Sequence, residues 1–183
     1  MNHQLKIREG DLSSTTLRAG AGFTLIELIL YVALITIILS AIVPFAWNTV
    51  QTGVKSAVQQ EVNANARYIS ERIKYEIRNS TDINSVAPTS ISLATSTPAT
   101  NPTIIDLSLG NIRIKQGAGI AVNLNSANTV INSLTFTNYT SGDNKTKHIQ
   151  FTINIAASFA AARQEYQDSV VIEGSSEVRS NSN

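Results

Sequence analysis

The sequence predicts an α+β fold in which one long N-terminal helix packs on a mainly antiparallel β-sheet head. Three observations carry this. Phe23–Ala46 is an apolar run with a single charge, Glu27. A stripe with helical period continues downstream of it through Ile77. From residue 81 the chain breaks into short alternating segments separated by turn formers. Four segments follow: 1–22, 23–46, 47–80 and 81–183.

Residues 1–22 are polar, without sustained periodicity, and slightly basic: Lys6, Arg8 and Arg18 stand against Glu9 and Asp11. The run that follows would reach ~36 Å as a helix, enough for the ~30 Å hydrocarbon core of a bilayer. A buried core helix seldom stays apolar all round for so long, so a single membrane span is expected. Trp47, at its far edge, suits a membrane–water interface. Positive charges precede the span and the long polar part follows it, which predicts a cytoplasmic N-terminus and an external head. A secretory signal fits poorly, because the apolar run is too long and the small residues Ala19–Gly22 come before it. Pro44 lacks the N–H that would bond the carbonyl of Ser40, so a kink or local melting is expected there, with the Ser40 hydroxyl partly satisfying the turn.

In segment 47–80, Val54, Val58, Val62, Ala66, Ile69, Ile73 and Ile77 recur every three or four residues, while most charges lie off this stripe. Asn79–Asp82 is a plausible stop. The stripe needs a surface to bury itself against, and the remaining chain is the candidate. There, Ser90–Ala94, Thr103–Leu109 and Asn111–Gln116 read as strands, with a tight hairpin at Gly110-Asn111. Leu134–Tyr139, Ile149–Phe159 and Tyr166–Ile172 read as further strands, six or seven in all. Gly117–Gly119, Ser141–Asn144 and Thr95–Pro102 are turns or irregular connections.

Composition sharpens the picture. Of 183 residues, 43% are hydrophobic and only 15% charged, with a net charge of +1. Ser, Thr and Asn are abundant, as in envelope or secreted β-rich proteins. Near-neutral charge argues against a nucleic-acid partner. The absence of Cys excludes disulfides, thiolate zinc sites and Cys nucleophiles. His148 stands alone, and His3 lies in the polar segment 1–22. No phosphate-binding loop, nucleophile elbow or metalloprotease motif occurs. Asp143, Asn144 and Glu173 lack the carboxylate density calcium needs. No cofactor, metal or enzymatic activity is therefore expected.

The string Gly22-Phe23-Thr24-Leu25-Ile26-Glu27-Leu28 resembles the processing motif of type IV pilins and type II secretion pseudopilins. The resemblance implies cleavage between Gly22 and Phe23 by a prepilin peptidase and N-methylation of Phe23. It implies assembly through Glu27, and matches Pro44 to the proline many members carry at that depth. Implied partners are other pilin or pseudopilin subunits, the prepilin peptidase, an inner-membrane assembly platform and the lipid bilayer. The implied location is the inner membrane and then a surface or periplasmic filament. A looser resemblance to J-type minor pseudopilins and large minor pilins rests on Leu134, Phe136, Thr137 and the closing Arg179. It implies a minor subunit of a pilus or pseudopilus.

Glu27 makes physical sense by its position. A carboxylate inside a span costs ~2.5 kcal/mol or more near the centre, so it should find a partner. An amine created at Phe23 would lie four positions away on the same helix face. The pair could form within one chain or between neighbours, and the resemblance favours neighbours. Snorkelling of Glu27 to the headgroups is the simpler alternative. A different class of function, a membrane-tethered binding or enzymatic domain that does not polymerise, also fits the composition.

Overall fold

A computed structural model describes residues 22–143, 145–159 and 163–179. The leader expected over 1–22 lies outside them except for Gly22, as do His3 and Asn144. The fold is α+β: one long helix, α1 (Leu25–Asn79), and two antiparallel sheets. The chain divides into two compact units between Phe45 and Ala46.

In the first unit α1 buries nothing. Its large apolar side chains from Leu25 to Phe45 are all exposed, and it is long and apolar enough to cross a membrane. The hydroxyls in this stretch stay within the helix: Thr36 Oγ1 donates to the Val32 carbonyl (2.8 Å) and Ser40 Oγ to that of Ile37 (2.7 Å). Such back-bonding removes polar groups from an apolar surround. Helical structure runs unbroken through Pro44.

In the second unit the expected stripe is the buried face. Val58, Val62, Ala66, Ile69, Ile73 and Ile77 are buried, and Val54 packs at the margin. Each fully buried branched side chain contributes ~1.5–3 kcal/mol relative to exposure, which explains why this helix stays on the head. The helix ends where Ser80 turns back, its Oγ and N both donating to the Ile77 carbonyl (2.7 and 3.3 Å).

The first sheet has the order β1 (Asp82–Ala87), β2 (Ser90–Ala94), β3 (Thr103–Ser108), β4 (Asn111–Gln116), β5 (Val122–Asn123). The second has β6 (Thr129–Asn138), β7 (His148–Ala157), β8 (Ser169–Glu177). Strict alternation sends Ile91, Leu93, Ile105, Ile112 and Ile114 from one sheet and Ile149, Phe151, Ile153 and Ile155 from the other into one core with the helix stripe. The sheets meet through backbone bonds from Ile131 N to Gly110 O (2.9 Å) and Phe136 N to Pro88 O (2.8 Å).

The strand expectations need three corrections. Eight strands are present among the described residues, more than six or seven. β1 and the two-residue β5 were not foreseen, and β1 has a bulge between Ile83 and Ser85 that spoils its alternation. The hairpin between β3 and β4 turns on Leu109-Gly110, one residue before the expected place, with φ of 50° and 74°. Two positive values define a type I′ turn, whose twist suits the flanking strands. The last strand spans Ser169–Glu177, later than Tyr166–Ile172. Its inward positions in the second half are Gly174 and Ser176, opposite Phe151 and Ile149. Phe151 occupies the space above Gly174: a Cβ there would lie 2.3 Å from the ring.

Polar groups fasten α1 to the loops. Glu61 Oε1 accepts from Ser126 Oγ (3.0 Å) and Asn128 Nδ2 (3.1 Å), and Asn65 Oδ1 accepts from Ser126 N (3.0 Å). Buried Asn125 is a hub. Its amide donates to Asn111 Oδ1 (3.0 Å) and the Thr129 carbonyl (2.9 Å), and its oxygen accepts from Ile112 N (3.1 Å).

Candidate functional site

The helix start brings together the residues that the sequence singles out. Thr24 is the cap: its Oγ1 accepts from Glu27 N at 3.3 Å, and its carbonyl accepts from Leu28 N at 3.1 Å. A Thr three residues before a Glu is the capping-box pattern, and a carboxylate in the first turn also suits the positive end of the helix dipole. α1 thus begins two residues after Phe23.

Glu27 is half-buried although its neighbours on α1 are exposed. Tyr31, one turn on, covers it: the phenol donates to Glu27 Oε1 in a long bond of 3.4 Å. The Tyr31 ring in turn meets the Phe23 ring edge to face, centroids 6.2 Å apart at 71°. Phe23, Glu27 and Tyr31 therefore share one helix face at spacings of four, as i,i+4 geometry requires. Glu27 has no ion-pair partner among the described residues. Gly22 is exposed, and a Cβ on it would meet nothing within 4 Å. Tyr31 and Thr24 are the residues sequence reasoning missed, although both spacings from Glu27 are readable in the sequence. Pro44 lies more than three turns along the helix from this cluster.

Elsewhere the polar groups are tied into the fold. Glu76, 5% exposed, pairs with Arg72 (2.6 Å) and accepts from Gln116 Nε2 (3.5 Å). Burial raises its pKa above the usual carboxylate value, against the opposing pull of Arg72 and Gln116. Asp82 is held below its ordinary pKa chiefly by its bond from Lys147 (2.5 Å). Asp143 is lowered by the bonds it accepts from the Ser141 hydroxyl and the Lys145 N–H. The His148 ring meets that of Tyr139 at a tilt of 57°, centroids 6.4 Å apart. Among the described residues no group of three or more His, Cys, Asp or Glu is placed to hold a metal ion.

No protein-family model matches this chain, and neither a curated protein nor a solved structure matches it. The long apolar N-terminal helix and the antiparallel sheets it packs on are compatible with a pilin-like fold, and the helix with a single-pass anchor.

Proposed function

We propose that the chain is a structural subunit of a type IV pilus or type II secretion-like pseudopilus, most like a minor subunit. It would be cut between Gly22 and Phe23 by a prepilin peptidase, methylated on Phe23, held in the inner membrane with its head outside, and then assembled through α1. The observation that carries the reading is the lone carboxylate at the start of an uncovered apolar helix. Glu27 has no cation of its own among the described residues, only a long bond from Tyr31. An amine at Phe23 of a neighbouring subunit supplies the missing charge, and the side-by-side packing that brings it there also covers the apolar surface. Lipid alone covers the apolar surface of a solitary anchor, but only a neighbouring chain brings Glu27 a cation from outside its own helix.

Mass spectrometry of the mature N-terminus tests the processing step: a methylated Phe23 is expected, whereas an intact Met1 or a cut beyond Ala46 would sink the proposal. Replacing Glu27 with Leu should spare insertion and processing but reduce the amount of subunit recovered in sheared filaments. Undiminished recovery of Glu27→Leu would remove Glu27 from assembly.

A further inference from the structure

The connection between β7 and β8 does not lie idle at the edge of the head. Its base is closed by Ala157 N donating to Asp168 O (2.9 Å), and Ser158 N donates to Asn128 O (2.8 Å). From there a one-turn 3₁₀ segment, Gln164–Tyr166, reaches α1 at its first residues beyond the apolar run. The Arg163 guanidinium sits over the Trp47 indole, 5.8 Å from the ring centroid, and pairs with Glu165 at 2.5 Å. Phe159 and Tyr166 pack ring to ring at 5.7 Å. Between this segment and the helix lies an open polar pocket of about 330 Å³, lined by Asn48, Gln51, Thr52, Lys55, Gln164 and Glu165. Glu165 neutralises Arg163, so the cation left over is Lys55, which has no ion-pair partner among the described residues.

We infer that this pocket is a phospholipid-headgroup site, which seats the unassembled head on the outer face of the membrane through the phosphate of an anionic lipid. The inference rests on the reading that residues 23–46 lie in lipid. Counting along the helix from Ala46, Asn48 stands ~3 Å and Thr52 ~9 Å beyond the hydrocarbon. The headgroup layer on each face is ~5–7 Å thick, so Asn48 lies within it and Thr52 just beyond it. Lys55 is ~13 Å out, but helical side chains lean toward the N-terminus and its long stem carries the ammonium back toward the phosphates. Trp, Tyr and Phe beside Arg and Lys are the composition of a membrane–water interface, and here they come from two segments more than 100 residues apart in sequence. With Arg163 beside the pocket, two cations, Lys55 and Arg163, stand against the single carboxylate of Glu165, and the net +1 complements an anionic headgroup. The second arm, Arg163–Tyr166, has no span of its own to place it at that depth, and its contact with Trp47 brings it there.

The test uses the full chain in vesicles of phosphatidylcholine with and without phosphatidylglycerol, some of the lipid carrying a headgroup spin label. The protein has no Cys, so Gln164→Cys and Gly142→Cys each give one site for a fluorophore. Gly142 lies at the opposite end of β7, ~30 Å away. Stronger quenching at 164 than at 142, greater when phosphatidylglycerol is present, is expected. Loss of one lysine near an anionic surface costs about fivefold, so Lys55→Glu, which also adds a negative charge, should lower the docked-to-undocked ratio by more than that in the anionic vesicles, with Lys55→Arg unchanged. Equal quenching at 164 and 142, or no effect of Lys55→Glu, overturns the inference while leaving the anchor intact. Release of the label by inorganic phosphate would reassign the pocket to a free anion and overturn the headgroup site. A chain that fails to float with the vesicles overturns the anchor and the inference together.

Discussion

Replacing Gly174 with Ala adds one methyl group at the centre of the second sheet. Gly174 stands directly opposite Phe151, and the added Cβ would lie 2.3, 2.8 and 3.0 Å from three carbons of that ring. Real Cβ contacts do not come so close, so the ring must move. It is 1% exposed, enclosed with Phe136, Ile149 and Ile153, and has little room to do so. Overpacking of this kind costs ~1–3 kcal/mol. With an unfolding entropy of ~2.1 cal/mol/K per residue over the second unit, that is a fall of ~3–10 °C in the melting midpoint. Circular dichroism of the full chain in detergent reads the midpoint directly. Phe151→Leu alone should also destabilise, because it empties the space, but Phe151→Leu with Gly174→Ala should cost less than the two single changes summed. An unchanged midpoint in Gly174→Ala, or strict additivity in the double variant, would show that the ring does not take the place of a side chain at 174.

Three further outcomes follow from the head. Glu76 has its pKa raised by burial; its folded-state value then exceeds the unfolded one, so it adds stability below the unfolded pKa and that stability is lost as pH rises through the folded pKa. Glu76→Gln should therefore melt higher than the parent near pH 7, with the gap closing on acidification; a gap that widens in acid would reverse the assignment. Asn125→Ala strips a buried hub of its bonds to Ile112, Asn111 and Thr129 and should cost ~2–4 kcal/mol by thermal melting, since each orphaned buried group costs ~1–3 kcal/mol. Leu109 is 97% exposed at a φ of 50°, so Leu109→Asn should raise stability by ~0.5–1 kcal/mol through an Asn-Gly type I′ turn; a lower midpoint would mean the Leu side chain has a role in the folded head.

The helix was readable because its buried face obeys one period from Val58 to Ile77 without interruption. Strands β2, β3 and β4 were readable for the same reason, with alternation and Gly110 beside them. β1 was hidden by its bulge, which puts Ile83 and Val86 three apart where a strand should place them two apart. The second half of β8 was hidden because Phe151 of β7 fills the space above Gly174, leaving an inward position that carries no apolar side chain of its own. The turn was misplaced by one residue because a Leu at positive φ is not a turn signal. At the helix start, Phe23 and Glu27 stood out by charge and motif, whereas Tyr31 looked like one more aromatic in an apolar run. Its role depends on the phenol pointing at Glu27, which spacing permits but does not require. The Arg163–Trp47 contact joins residues far apart in the chain, and no local pattern encodes it.

The first buried side chain of α1 is Val58, which has a practical consequence. A chain begun at residue 47 would forfeit the whole apolar run and none of the core, since Val54 and everything it packs with are retained. The head is thus expected to fold from water as a free-standing piece, needing neither detergent nor lipid. Its stability and the insertion of the anchor then draw on separate residues. Mutations can weaken one without touching the other, and the two properties are free to change independently over generations.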